Sequence, residues 1–141
     1  MGPLHYFHES TLPRLHNIVW CCLPKPDGSP GETVTPALVR GSERHPNEHR
    51  GALLVSLGTT KLDTNGKGQR DLIIQNAERL DQLDLPMAVR FDLDMTLWMP
   101  WASEFFQPPE HSFRVVAGPL IEAEKTRLRS KLKKRGIIIE L

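Results

Sequence analysis

Ten glycines and twelve prolines are scattered through all 141 residues of this chain. Proline fixes φ and removes a backbone donor, and glycine punctuates turns, so no long helical bundle can be drawn across such a pattern. The spacing predicts many short elements joined by tight turns, a mainly β fold. A chain of this length buries roughly 68% of its unfolded surface, enough to fold as one domain without disulfides or metal.

The apolar runs place the elements. Residues 18–23 form a short apolar stretch closed by Pro24, and 24–32 is a Pro-, Gly-, Asp- and Ser-rich loop. Pro36 opens a second run at 37–40, and a third at 52–57 is apolar except for Ser56, as suits a strand covered on both faces. The intervening 41–51, rich in His, Arg, Glu and Asn, reads as a solvated loop. Residues 61–69, with Asn65-Gly66-Lys67-Gly68, read as a turn before a strand at 71–75. Asn76 is placed to cap a short helix at 77–83, and 88–99 alternates up to Pro100. A last helix spans about 120–135, with Ile121, Leu128 and Leu132 on one face and Gly136 as its stop, and 137–141 is a final short strand or a tail. Residues 1–16 are an N-terminal extension, and 17–141 the domain proper.

Eighteen Lys and Arg against seventeen Asp and Glu give a net charge of +1. A globally basic nucleic-acid binder and a polyacidic tail protein are thereby excluded, so any polyanion site is a local patch. The best patch is the last helix, where seven basic residues follow Glu122 and Glu124 in the order that suits the helix dipole. No stretch approaches the roughly 18 apolar residues of a membrane span, and the N-terminus does not read as a secretory signal, which suggests a cytoplasmic protein with no membrane partner. Cys21 and Cys22 are adjacent and point to opposite faces of a strand, so they suit neither a disulfide nor a metal, and one of them belongs to the core. His45 and His49 stand four apart but Pro46 opposes a helix between them, and His5 and His8 fall in a mobile tail. No metal and no cofactor is expected.

The string Phe91-Asp92-Leu93-Asp94-Met95-Thr96 resembles the nucleophile motif of haloacid-dehalogenase-like phosphatases. Those enzymes need a lysine and an acidic metal pair on later strands, and the residues beyond Met99 are mostly one basic helix. A different resemblance spans 18–135: Ile18-Val19-Trp20-Cys21, Pro30-Gly31-Glu32, Pro36-Ala37-Leu38-Val39, Gly58-Thr59-Thr60, Phe91-Asp92-Leu93, Pro100-Trp101, Phe105-Phe106 and Pro108-Pro109, in this order, resemble the PemK/MazF family of type II toxin-antitoxin modules. The resemblance implies a small twisted antiparallel β-barrel of the Src-homology 3 type with a C-terminal helix. It further implies a homodimer, an antitoxin partner and metal-independent endoribonuclease activity on single-stranded RNA.

Such cleavage needs a deprotonated 2′-hydroxyl, stabilisation of the pentavalent phosphorus and a proton for the leaving oxygen. In the family an arginine precedes the Pro-x-x-Val strand and a Thr or Ser ends the next one. Thr59 matches the hydroxyl, with Thr60 beside it, whereas Thr35 stands at the arginine position and carries no charge. Lys61 is the nearest replacement cation, with Glu32 and Arg40 as RNA-contacting residues at the rim. The other reading is a barrel without catalysis that binds a protein, an antitoxin or a gyrase-like target, as toxins of the related CcdB type do. Trp98, Trp101, Phe105 and Phe106 offer aromatic surface for an interface or else fill the core.

Overall fold

The computed structural model describes residues 3–62 and 70–136. Seven antiparallel strands make a curled half-barrel sheet with a helix at its C-terminal end, the mainly β class that the glycine and proline pattern predicts. Along the chain come β1 (Asn17–Pro24), β2 (Pro30–His45), β3 (Arg50–Thr59), β4 (Leu72–Ile74), α1 (Ala77–Gln82), β5 (Val89–Phe91), β6 (Leu97–Pro100), β7 (Val116–Pro119) and α2 (Glu122–Lys134). In space the order is β4-β5-β3-β2-β1-β7, and β6 also pairs with β3.

The sheet is covered on both faces, which explains why its strands read as continuous apolar runs. Ile18, Trp20, Leu38 and Phe91 pack with Leu128 and Leu132 of α2 on one face. Val19, Cys21, Val39, Leu53 and Val55 pack with Trp101, Phe105 and Phe106 on the other. Odd and even positions of β1 thus both enter a core. Cys21 and Cys22 are therefore both buried, where one was expected, and burial with the neighbouring Cys22 pushes the Cys21 thiol up to about 12.

Three expectations change. Residues 41–51 are not a loop: β2 runs on to His45, β3 starts at Arg50, and the ladder continues through Gly41↔Leu54 to His45↔Arg50. Ladder bonds join backbone groups, so a polar, exposed hairpin arm is as well paired as an apolar one. Its tip is a single 3-10 turn, Pro46–Glu48, closed by His49 in the left-handed conformation at φ 53°. The alternating stretch 88–99 divides into β5 and β6, which pair with opposite ends of β3. The N-terminal segment is not a free tail: Phe7 sets its ring 4.7 Å from that of Trp101 at a tilt of 46°, Tyr6 bridges to Ala102, and His5 Nδ1 lies 2.5 Å from Glu104 Oε2.

The helices follow their caps. Asn76 Oδ1 accepts the N–H groups of Glu78 and Arg79 at the start of α1, and Glu124 Oε1 accepts the Ile121 N–H at the start of α2. Glu124 also accepts two bonds from Arg79 at 2.8 and 2.9 Å, which fastens α1 to α2. Gly136, at φ 77°, follows the helix end as expected. The segment 65–68 and the final strand or tail at 137–141 lie outside the described residues. No helix among the described residues is long and apolar enough to cross a membrane.

Candidate functional site

The end of β3 gathers most of the candidate residues. Gly58 can approach β2 closely because it has no side chain: a Cβ there would lie 2.7 Å from the Pro36 carbonyl oxygen and 2.8 Å from Val89 Cγ1. That approach lets the Thr35 hydroxyl donate to the Gly58 carbonyl at 3.0 Å, so Thr35 meets the end of β3 that carries Thr59. Thr59 Oγ1 accepts the Lys61 N–H at 3.2 Å, a local turn that keeps its own O–H available as a donor. Thr59 is half-buried, while Thr60 and Lys61 are exposed. Glu32 is exposed three residues before Thr35 on the same strand.

Arg90 completes this corner and was not foreseen from the sequence. It pairs with Thr59 across β3 and β5, and its Nε donates to the Lys61 carbonyl at 2.8 Å. Its Nη1 bonds Asp71 Oδ2 at 2.6 Å, with both side chains nearly out of water. Asp71 also accepts the Leu93 N–H at 3.0 Å and Arg135 Nη2 at 3.2 Å, and Arg135 Nε reaches Asp94 Oδ1 at 2.7 Å. A guanidinium thus stands beside the hydroxyls, but fixed by a carboxylate rather than free. The one signal in the sequence was the triplet Val89-Arg90-Phe91, a charge between two apolar residues of a strand, which requires a buried anion for company.

Arg40 lies away from that corner. The β2–β3 register slips between Val39 and Gly41, so Arg40 occupies a bulge, and its Nη1 donates to the buried Ser56 hydroxyl at 2.9 Å. Burial first, and Arg135 second, depress its basicity. Its neighbour Val39 accepts the N–H of His16 at 3.0 Å.

Two groupings of possible metal ligands were hidden from sequence spacing. His8, Glu9 and His49 bring one ligand atom each within 4.8 Å of one another, as do Asp71, Asp92 and Asp94. In the first, Arg44 already binds Glu9 Oε2 at 3.2 Å and His8 Nδ1 accepts the Ser10 N–H. In the second, two arginines neutralise Asp71. His45, by contrast, lies 3.6 Å from Glu43 rather than beside His49. Of the four aromatic residues singled out, Trp101, Phe105 and Phe106 are core, and Trp98 on β6 is 51% exposed.

No protein-family model matches the chain, and no curated protein matches it significantly.

Proposed function

We propose that this chain is a PemK/MazF-like toxin-type protein that binds single-stranded RNA at the corner of Thr35, Thr59, Thr60 and Lys61 and cleaves it without metal. The observation that carries this reading is the bond from the Thr35 hydroxyl to the Gly58 carbonyl, which joins the two strand ends whose motifs carry the family resemblance. At that corner Lys61 neutralises a phosphate, and the Thr59 and Thr60 hydroxyls donate to its oxygens. Arg90 holds the Lys61 carbonyl, while Asp71 neutralises its guanidinium and keeps it from contacting the phosphate directly. With Thr35 in the arginine position one transition-state contact is missing, so cleavage runs roughly two to three orders of magnitude below that of a complete site.

Fluorescence anisotropy on a labelled single-stranded RNA tests the binding half of the proposal. Affinity should fall steeply with salt, and Lys61→Gln should weaken it and flatten the logarithmic salt slope by about one. Salt-insensitive binding, or a Lys61→Gln variant identical to wild type, contradicts it. A homodimer belongs to the same reading, with the exposed Trp98 as one aromatic for its interface.

One feature favours the other reading, a barrel that binds a protein. A groove of about 620 Å³ runs between β4, α1 and α2, lined by Ile73, Gln75, Glu78, Ile121 and Arg127 among others. Its mixture of apolar and oppositely charged groups suits a peptide segment better than a nucleic acid. An RNA-inert chain that still arrests growth, with Arg127→Glu abolishing the arrest, distinguishes this reading from the first.

A further inference from the structure

We infer that Arg40, which the buried Ser56 holds in place, and His16, on the face of the sheet that α2 covers, form a binding site for a phosphoryl group, separate from the Thr59 corner.

Arg40 is the exception among the withdrawn arginines. Arg79, Arg90 and Arg135 have side chains only 8–12% exposed, and each holds a carboxylate at 3.2 Å or less. Arg40 is half-buried and has the Ser56 hydroxyl as its bonding partner, with no carboxylate beside it among the described residues. A guanidinium taken partly out of water without an anion is destabilising, and a bound anion removes that penalty. The bulge in β2 at Arg40 is the kind of device that re-aims one side chain out of register.

His16 supplies the second, independent observation. It is 3% exposed, and among the described residues nothing hydrogen-bonds its ring. Its backbone is fixed from both sides, the N–H to Val39 O at 3.0 Å and the carbonyl to Leu120 N at 3.1 Å, with φ at 70°. These bonds set it next to Arg40 and against the segment that leads into α2. Burial holds the imidazole neutral, and Lys125, Arg40 and Arg129 act in the same direction. A neutral imidazole keeps one N–H to donate.

Three elements therefore converge with donors and positive charge, and among the described residues no carboxylate pairs with Arg40 or Lys125. Ser56 faces the same side as its cross-strand partner Leu38, which packs with Leu128 and Leu132 of α2. Lys125 is half-buried and lacks a carboxylate partner among the described residues, and Arg129 has one 3.5 Å contact to the exposed Glu122. The guanidinium fork, held by the fully buried Ser56 hydroxyl, an imidazole N–H and the Lys125 ammonium match the several oxygens of a phosphoryl group, and a surplus of more than one positive charge suits a dianion better than a carboxylate.

The test uses the full chain, with inorganic phosphate in one arm and a short single-stranded oligonucleotide lacking terminal phosphates in the other, at constant ionic strength set by chloride. Saturable binding by calorimetry is expected in at least one arm. Arg40→Gln should lower its affinity roughly 10-fold or more, the effect of deleting a charged hydrogen bond. His16→Asn, which tolerates a left-handed φ, should do the same. Lys125→Gln, a surface change that does not threaten the fold, should weaken it severalfold, and Lys25→Gln, in the exposed loop between β1 and β2, should leave it unchanged. A response to inorganic phosphate identifies a free or terminal phosphate, and a response to the oligonucleotide alone that Arg40→Gln lowers identifies a backbone diester; both support the site. No saturable binding in either arm, or binding that Arg40→Gln and Lys125→Gln leave intact, overturns it. The inorganic phosphate arm contains no RNA, so failure of this site and failure of the RNA-cleaving corner are read separately.

Discussion

Asp71 Oδ2 and Arg90 Nη1 meet at 2.6 Å with side chains 1% and 8% exposed, and the same carboxylate receives Arg135 from the end of α2. One buried charge thereby joins the residue before β4, strand β5 and the last helix behind the corner that carries Thr59. Removing one partner of a buried pair leaves the others charged and uncompensated. Asp71→Asn should cost about 3–5 kcal/mol in urea unfolding. Glu122→Gln, whose ion pair with Arg129 is 3.5 Å long and exposed, should cost less than about 1 kcal/mol.

Gly58 is a second structural lever on the corner. A methyl group there would sit 2.7 Å from a backbone oxygen, which cannot move away as a flexible side chain would. Gly58→Ala should therefore destabilise by about 1–3 kcal/mol, and it should weaken RNA binding by separating Thr35 from Thr59. Unfolding curves and anisotropy on the same preparation check both outcomes.

His16 gives a pH signature of known sign. Burial, with Lys125, Arg40 and Arg129 nearby, depresses its folded pKa below the ordinary histidine value. The unfolded chain then binds the proton more readily, so stability falls as pH drops below about 6.5, by at most about 1.4 kcal/mol per pH unit for this one group. The difference in unfolding free energy between wild type and His16→Asn should be flat above neutrality and tilt against wild type below it. A difference independent of pH from 7.5 to 5 contradicts the assignment.

The thiols should be silent in the native state. Cys21 is fully buried with its pKa pushed up to about 12, and burial raises Cys22 as well. Thiolate is the reactive form, so a disulfide reagent at pH 8 should modify neither cysteine in buffer and both in denaturant. Prompt labelling of the folded chain would show that β1 is not covered on both faces.

Much of the fold was legible where local chemistry decides it. The apolar runs became β1, the centre of β2 and β3, Asn76 capped α1, and the dipole-ordered charges marked α2 to within two residues. The polar arm of the β2–β3 hairpin was not legible, because its ladder depends on backbone groups that leave no side-chain signature. Of the candidate site, Thr35 and Thr59 could be paired from their motifs, whereas Arg90 and Asp71 come from distant strands and meet through tertiary packing alone. The charge balance hid the surroundings of Arg40 for the same reason: composition counts charges, and only three-dimensional contacts reveal that among the described residues it bonds a hydroxyl and no carboxylate.

The most direct test of the proposed function is cleavage of a labelled single-stranded RNA by the purified chain in EDTA. Slow cleavage is predicted for wild type, none for Thr59→Ala, and for Thr35→Arg a faster rate by up to roughly two to three orders of magnitude as the missing cation is restored. Undiminished cleavage by Thr59→Ala, or intact RNA with both wild type and Thr35→Arg, would contradict it.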